Sequence, residues 1–147
     1  MKQTVRIKKL KEEAVLPTYG SEKAAGADLY ACMEEAVSIE PLEAALIHTG
    51  IAMEIPDGYV GLVYARSGLA TKQGLAPSNK VGVIDADYRG EIMVSLFNQS
   101  KETRVIEPGE RIAQIVITPF LAAAFVPAEE LNETGRGEGG FGSTGTK

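Results

Sequence analysis

The chain has 147 residues, 44% hydrophobic and 24% charged side chains, and a formal net charge of -5, the profile of one soluble globular domain. A domain of this length buries roughly 70% of the surface its unfolded chain exposes. The sequence has no long basic run, which argues against binding nucleic acid polymers, whose affinity comes from neutralised phosphates. A small phosphorylated ligand needs only one or two local cations and stays open. The single cysteine, Cys32, excludes an intrachain disulfide framework and suits a reducing compartment. MKQTVRIKKLKEE has no apolar signal core, and no stretch approaches the roughly 20 apolar residues of a membrane helix. The expected address is cytoplasmic, away from membranes.

Period-2 patterns and turn signals run along the chain. Val5-Arg6-Ile7 alternates. Ala45 to Ile55 reads as one or two strands, ended by the turn Pro56-Asp57-Gly58, where Pro presets φ and Gly accepts a positive one. Tyr59 to Ala65 is strand-like. Gly68 to Gln73 is the one helical segment, opened by Ser67 as N-cap and stopped by Gly74. Glu91 to Asn98 and Arg111 to Phe120, separated by Pro108-Gly109, are rich in β-branched and aromatic residues. Short strands at this spacing predict an all-β sandwich or barrel. The ordered domain is expected to span residues 1–131. Residues 132–147, NETGRGEGGFGSTGTK, form a Gly-rich arm that cannot hold a helix or strand by itself. That arm carries one guanidinium, Arg136, and one ring, Phe141. It therefore suits a ligand with both an anion and a flat base, such as a nucleotide.

Several segments carry candidate chemistry. In Ala65-Arg66-Ser67-Gly68 a strand gives way to a helix, whose free N–H groups attract phosphate. Arg66 adds a forked cation, Ser67 a hydroxyl and Gly68 close backbone approach; an ordinary N-cap with a surface Arg is the commoner arrangement for such a segment taken alone. The run Val81 to Glu91 (VGVIDADYRGE) leads straight into two acids and a Tyr. Asp85 is expected at the sheet edge, where its carboxylate can take a proton from water; the alternative is a tight hairpin turn with Asp85 and Asp87 capping backbone N–H groups. Asp28 within Ala25 to Ala31 can hold a metal's water shell or cap a turn. Arg111 and Gln114 can donate to phosphate or pair across strands. His48 reads as structural. Cys32 lacks a CxxC or His companion for zinc, and neither GxxxxGK[ST] nor a strand-linked GxGxxG occurs.

Taken together, AGADLYA at 25–31, ARSGLA at 65–70, NKVGVIDADYRGE at 79–91, GERIAQ at 109–114 and RGEGGFGSTG at 136–145 resemble the five ordered motifs of the trimeric dUTPases. The third and fifth are the specific ones. Ala27 stands where many members have Tyr, and Ala65 where many have Pro; neither position supplies a reacting side chain. The resemblance implies a jelly-roll-like β-barrel with one short helix and a flexible C-terminal arm. It also implies a homotrimer whose three sites are shared, with the arm crossing to a neighbour.

The implied reaction converts dUTP and water to dUMP and pyrophosphate, clearing dUTP and supplying dUMP for thymidylate synthesis. In that scheme Asp85 is the general base. Arg66, Ser67, Gly68, Gln114 and Arg136 hold the phosphates, Arg136 reaching the γ-phosphate. Mg2+ is chelated by the triphosphate, with Asp28 touching its water shell. Asn79 and the backbone of Gly82, Val83 and Ile84, in a hairpin from Asn79 to Asp85, read the uracil edge. Tyr88 faces the sugar and excludes a 2′-OH, and Phe141 stacks on the base. Two other readings compete: a dCTP deaminase on the same fold, and a non-catalytic trimer that binds nucleotide or a protein partner.

Overall fold

A computed structural model describes residues 2–146 of the chain. Three long strands carry the fold. β5 (Ala44–Glu54), β9 (Glu91–Asn98) and β11 (Arg111–Pro119) form the middle of the structure. In β9 burial alternates without a break, with Ile92, Val94, Leu96 and Asn98 turned inward; successive strand side chains face opposite ways. Around them lie β1 (Arg6–Lys9), β2 (Thr18–Tyr19), β3 (Ala27–Tyr30), β4 (Val37–Ile39), β6 (Tyr59–Tyr64), β7 (Leu75–Pro77), β8 (Gly82–Ile84) and β10 (Arg104–Ile106).

All pairings are antiparallel. One sheet has the order β1-β5-β9-β7, a second β2-β3-β11-β6-β8, and β4 pairs with β10. Leu29, Val63, Ala113 and Ile115 of the five-stranded sheet join Ile47, Ile92, Val94 and Leu96 of the four-stranded sheet in one buried cluster. The architecture is all-β and jelly-roll-like, as expected, but the expected barrel is not closed. Each large sheet ends in strands with a single neighbour: β1 and β7 in one, β2 and β8 in the other.

Two local expectations are corrected. The helix, α1, spans Ser67–Gln73, so Ser67 is its first helical residue and not its cap. Arg66 takes the cap position with extended φ, ψ and no side-chain cap hydrogen bond; its side chain is engaged elsewhere. Gly74 ends the helix as expected, in the left-handed region at φ 70°. Secondly, Asn79 to Asp85 is not a β-hairpin. β7 pairs with β9, whereas β8 pairs with β6, so the chain crosses between sheets there. Lys80, at φ 65°, carries the turn.

Asn98 is fully buried at the end of β9. Its amide donates to Ile39 O and Glu102 O at 2.8 Å each, and its Oδ1 accepts from Ser100 N at 2.9 Å and Ser100 Oγ at 2.7 Å. One side chain thus ties together the end of β4, the end of β9 and the turn into β10. Asn98→Ala leaves those groups without their partners, and the expected loss is about 2–4 kcal/mol. Urea unfolding measures it; a loss below about 0.5 kcal/mol, the range of an ordinary surface change, would reject the network as a stabilising element.

Candidate active site

The phosphate end begins on the outer face of the five-stranded sheet. In β3, Ala27 and Leu29 point into the core, which turns Asp28 and Tyr30 outward. The register sets Gln114 opposite both Asp28 on β3 and Tyr64 on β6. A bulge in β11 between Arg111 and Ala113 lets Arg111 stay on the Asp28 side. Asp28, with 13% side-chain exposure, receives Arg66 Nε at 2.8 Å and Arg111 Nη1 at 3.4 Å, one on each carboxylate oxygen. Gln114 donates to Ala65 O at 2.9 Å and so fixes the exit of β6. Gly26 permits this, because a Cβ there would lie 3.0 Å from Gln114 Cδ. Beside the cluster is a cleft of about 400 Å³ lined by Tyr30, Arg66, Gly68, Lys72, Glu110 and Arg111.

Ser67 and Gly68 are exposed at the start of α1. A Cβ on Gly68 would meet nothing within 4 Å. Packing within this chain therefore does not call for glycine at that position.

A second group gathers around β8. Gly82 is buried beneath the Asn79 amide, whose nitrogen lies 3.3 Å from where a Cβ on Gly82 would sit. Ile84 is half-buried, and Val83 and Asp85 are exposed. Asp85 O accepts Tyr88 N at 3.1 Å, closing a turn. The Tyr88 hydroxyl donates to Glu91 O at 2.8 Å, and the ring lies over Gly90, where a Cβ would come within 2.6 Å of Tyr88 Cζ.

The two groups do not meet within one chain. Gly82 lies opposite Val63 and Ile84 opposite Gly61, so Asp85 leaves β8 toward the start of β6. Arg66 leaves the other end of β6. At ~3.3 Å per extended residue, the run from Val60 to Arg66 spans up to about 20 Å.

The tail forms a third group. Past β11 the chain has no helix or strand and is exposed, with Leu121, Phe125, Val126 and Leu131 at 80–95% exposure. Arg136 Nε donates to Gly139 O at 2.7 Å, and backbone turns close from Thr134 to Gly137 and from Gly140 to Ser143. Phe141 is fully exposed, at φ 51°.

Sequence reasoning leaves Arg111 as either a phosphate donor or a cross-strand partner, without a role in the scheme, and does not single out Lys72. For Arg111 the signal was present: it stands in GERIAQ beside Gln114. Lys72, on a short polar helix, gave none. Cys32 plays no part in either group; burial, reinforced by Glu13, pushes its thiol above the ordinary range, which leaves it a poor nucleophile at neutral pH.

The fold and its cleft define an all-β protein with a guanidinium-lined, anion-suited end and a separate edge-strand group of Asn79, Asp85 and Tyr88. Residues 12–145 match the dUTPase family, and the chain belongs to that family. A deoxyuridine 5′-triphosphate nucleotidohydrolase of Hydrogenobaculum sp. is 52% identical over 141 residues, covering 96% of this chain and 97% of its own length. A solved dUTPase of Staphylococcus bacteriophage 80alpha, bound to dUpNHpp, is 34% identical with a TM-score of 0.86, covering 99% of this chain and all of its own. A dUTPase from phage phi11 of S. aureus, whose structure concerns a structural Mg(II) ion, is 30% identical with a TM-score of 0.79, covering 89% of this chain and all of its own.

Proposed function

We propose that this chain hydrolyses dUTP to dUMP and pyrophosphate, in a trimer whose sites are each assembled from more than one subunit. The observation that carries the reaction is kinship over residues 12–145, a span that includes all three residue groups.

Asp85 acts as the general base. It orients a water and takes its proton as the water oxygen attacks the α-phosphorus, and the bond from that phosphorus to the α–β bridging oxygen breaks. Pyrophosphate leaves. Arg66, Ser67 and Gly68 hold the phosphate chain with Gln114 behind them, and Arg136 reaches the γ-phosphate. The open space over Gly68 favours this placing, since it leaves room for a ligand to approach the backbone closely.

Asn79 and the backbone of Gly82, Val83 and Ile84 read the uracil edge. Cytosine presents a donor where uracil presents an acceptor, and a polar mismatch of that kind discriminates strongly. Tyr88 lies against the deoxyribose and excludes a 2′-OH. Phe141 stacks on the base, an interaction of about 1–3 kcal/mol.

Mg2+ fits this donor set only through water and substrate. Both Asp28 oxygens already receive guanidinium donors but keep further lone pairs for a hydration shell, and no three His, Cys, Asp or Glu side chains converge among the described residues. Bound there, the ion supplies charge neutralisation for the leaving pyrophosphate.

The separation of Asp85 from Arg66 along β6 supports sharing of the site. So do the exposed apolar side chains from Leu121 to Leu131, which favour a covering neighbour over open solvent. Residues 1–131 then form the subunit body and 132–147 the arm that crosses to a neighbour. Among the described residues no helix is long and apolar enough to cross a membrane; a cytoplasmic address suits an enzyme that draws on the nucleotide pool.

The test is pyrophosphate release with Mg2+ from dUTP, UTP, dTTP and dCTP side by side. Release from dUTP is expected to exceed the other three by far. Equal rates on all four would end the specificity reading. Ammonia from dCTP, with no pyrophosphate from dUTP, would install the deaminase instead.

A further inference from the structure

β5 and β9 do not pair evenly. His48 lies opposite Met93 and Ala52 opposite Glu91, so Thr49, Gly50 and Ile51 face the single residue Ile92. Gly50 makes this bulge possible. It sits at φ 69°, and a Cβ there would come within 2.8 Å of Cys32 Sγ and 2.9 Å of Ala14 Cβ. The bulge turns the Gly50 N–H and the His48 ring toward the first residue of β9. Glu91 meets both: Oε1 accepts from Gly50 N at 2.8 Å, and Oε2 bonds His48 Nδ1 at 2.8 Å. Thr49 Oγ1 donates to Ile92 O one residue further on. The Glu91 side chain is only 20% exposed, so this fork holds in a partly dry setting where charge-assisted hydrogen bonds are strong.

The other end of the same residue faces the loop from β8. Glu91 O accepts the Tyr88 hydroxyl at 2.8 Å, with the ring lying over Gly90. The carbonyl that holds Tyr88 thus belongs to the residue whose carboxylate is clamped in the β5 bulge. Between Ile84 and Glu91 the loop is held otherwise by local bonds, Tyr88 N to Asp85 O and Arg89 Nη1 to Ala86 O at 2.6 Å. Glu91 is what connects the Tyr88 ring to the framework of the four-stranded sheet.

We propose that Glu91 is a positioning residue for sugar discrimination: its fork into the β5 bulge sets the height of the Tyr88 ring, and hence the exclusion of a 2′-OH. This rests on the reading that Tyr88 faces the deoxyribose. Displacements near 1 Å at a positioned group cost about 10²-fold. Loss of an indirect clamp is expected to cost about tenfold in the dUTP-to-UTP ratio of kcat/KM.

The experiment measures that ratio, subunit assembly and thermal unfolding for Glu91→Ala, Glu91→Gln, Tyr88→Phe and Tyr88→Ala. Glu91→Ala is expected to lower the ratio about tenfold, chiefly by raising turnover on UTP relative to dUTP. Glu91→Gln keeps an acceptor for Gly50 N–H and should recover most of it. Tyr88→Phe deletes the same link from the other end with the bulge intact, so it gives an answer even where Glu91→Ala does not fold. An unchanged ratio in folded Glu91→Ala and Tyr88→Phe, with Tyr88→Ala collapsing it, overturns the role of Glu91 alone. An unchanged ratio in Tyr88→Ala overturns the sugar-facing reading and this inference with it. A loss of thermal stability without a change in ratio assigns Glu91 to the fold only, and also overturns the proposal.

Discussion

Asp85→Asn is expected to lower kcat on dUTP by about 10²–10⁴-fold, the contribution of a well-placed general base. The substitution keeps the shape and the hydrogen-bonding reach of the side chain. It removes the one capacity the mechanism needs there, accepting a proton from the attacking water. Asp85 is exposed and follows directly on β8, and its carbonyl closes the turn to Tyr88 N. The backbone that aims it is therefore fixed by the pairing of β8 with β6 and not by the carboxylate itself, so the variant should fold and assemble unchanged. Binding of a non-hydrolysable dUTP analogue should stay within a few-fold of the parent protein. The loss then appears in kcat with little change in KM, as expected when an interaction made only in the transition state is removed. Turnover within threefold of the parent would take the base role away from Asp85 and favour a non-catalytic nucleotide binder.

The periodic parts of the chain announce themselves. Glu91 to Asn98 reads as a strand from its β-branched and aromatic content and is one, with every second residue buried. Arg111 to Phe120 is right to within a residue, and Gly74 stops the helix as its αL geometry requires. The five short motifs identify the family because they reflect chemistry more than fold. What stayed hidden depends on pairing between distant segments. Two- and three-residue strands such as β2, β4 and β10 carry no period to detect. Nothing local says that β7 and β8 belong to different sheets, so Asn79 to Asp85 looked like a hairpin. Nothing local says that β11 bulges after Arg111 and brings its guanidinium to Asp28, since register is set by the partner strand. The cap expected at Ser67 falls one residue earlier, on Arg66, whose side chain bonds Asp28, 38 residues away, and caps nothing. Glu91 is the clearest case, because its carboxylate acts on a bulge 41 residues earlier in the chain.

Removal of residues 136–147 is expected to reduce turnover on dUTP by about 10²-fold or more while the trimer persists, because closing segments both complete a site and exclude water from it. Arg136 and Phe141 lie in that segment, and among the described residues neither packs on the body of its own chain: Phe141 is fully exposed, and the Arg136 guanidinium bonds Gly139 O nearby. The arm therefore adds nothing to the buried cluster that holds the fold, and losing it should leave thermal unfolding within a degree or two. A disordered end with no role predicts full activity after truncation, and that result would refute the arm's part in the site. The stronger test mixes subunits. A truncated chain keeps Asp85 but lacks Arg136, and an Asp85→Asn chain keeps Arg136 but lacks the base. Each alone should be nearly inactive. If Asp85 and the arm reach a given site from different subunits, unfolding and refolding the two together yields mixed trimers in which some sites hold both. Activity then rises well above the sum of the separate preparations. If one chain supplies both to the same site, no mixture can restore them, and activity stays at the sum. On the proposed shared site, Asp85 and Arg66, which lie toward opposite ends of β6, come from different subunits, and the mixing experiment asks which subunit lends the arm.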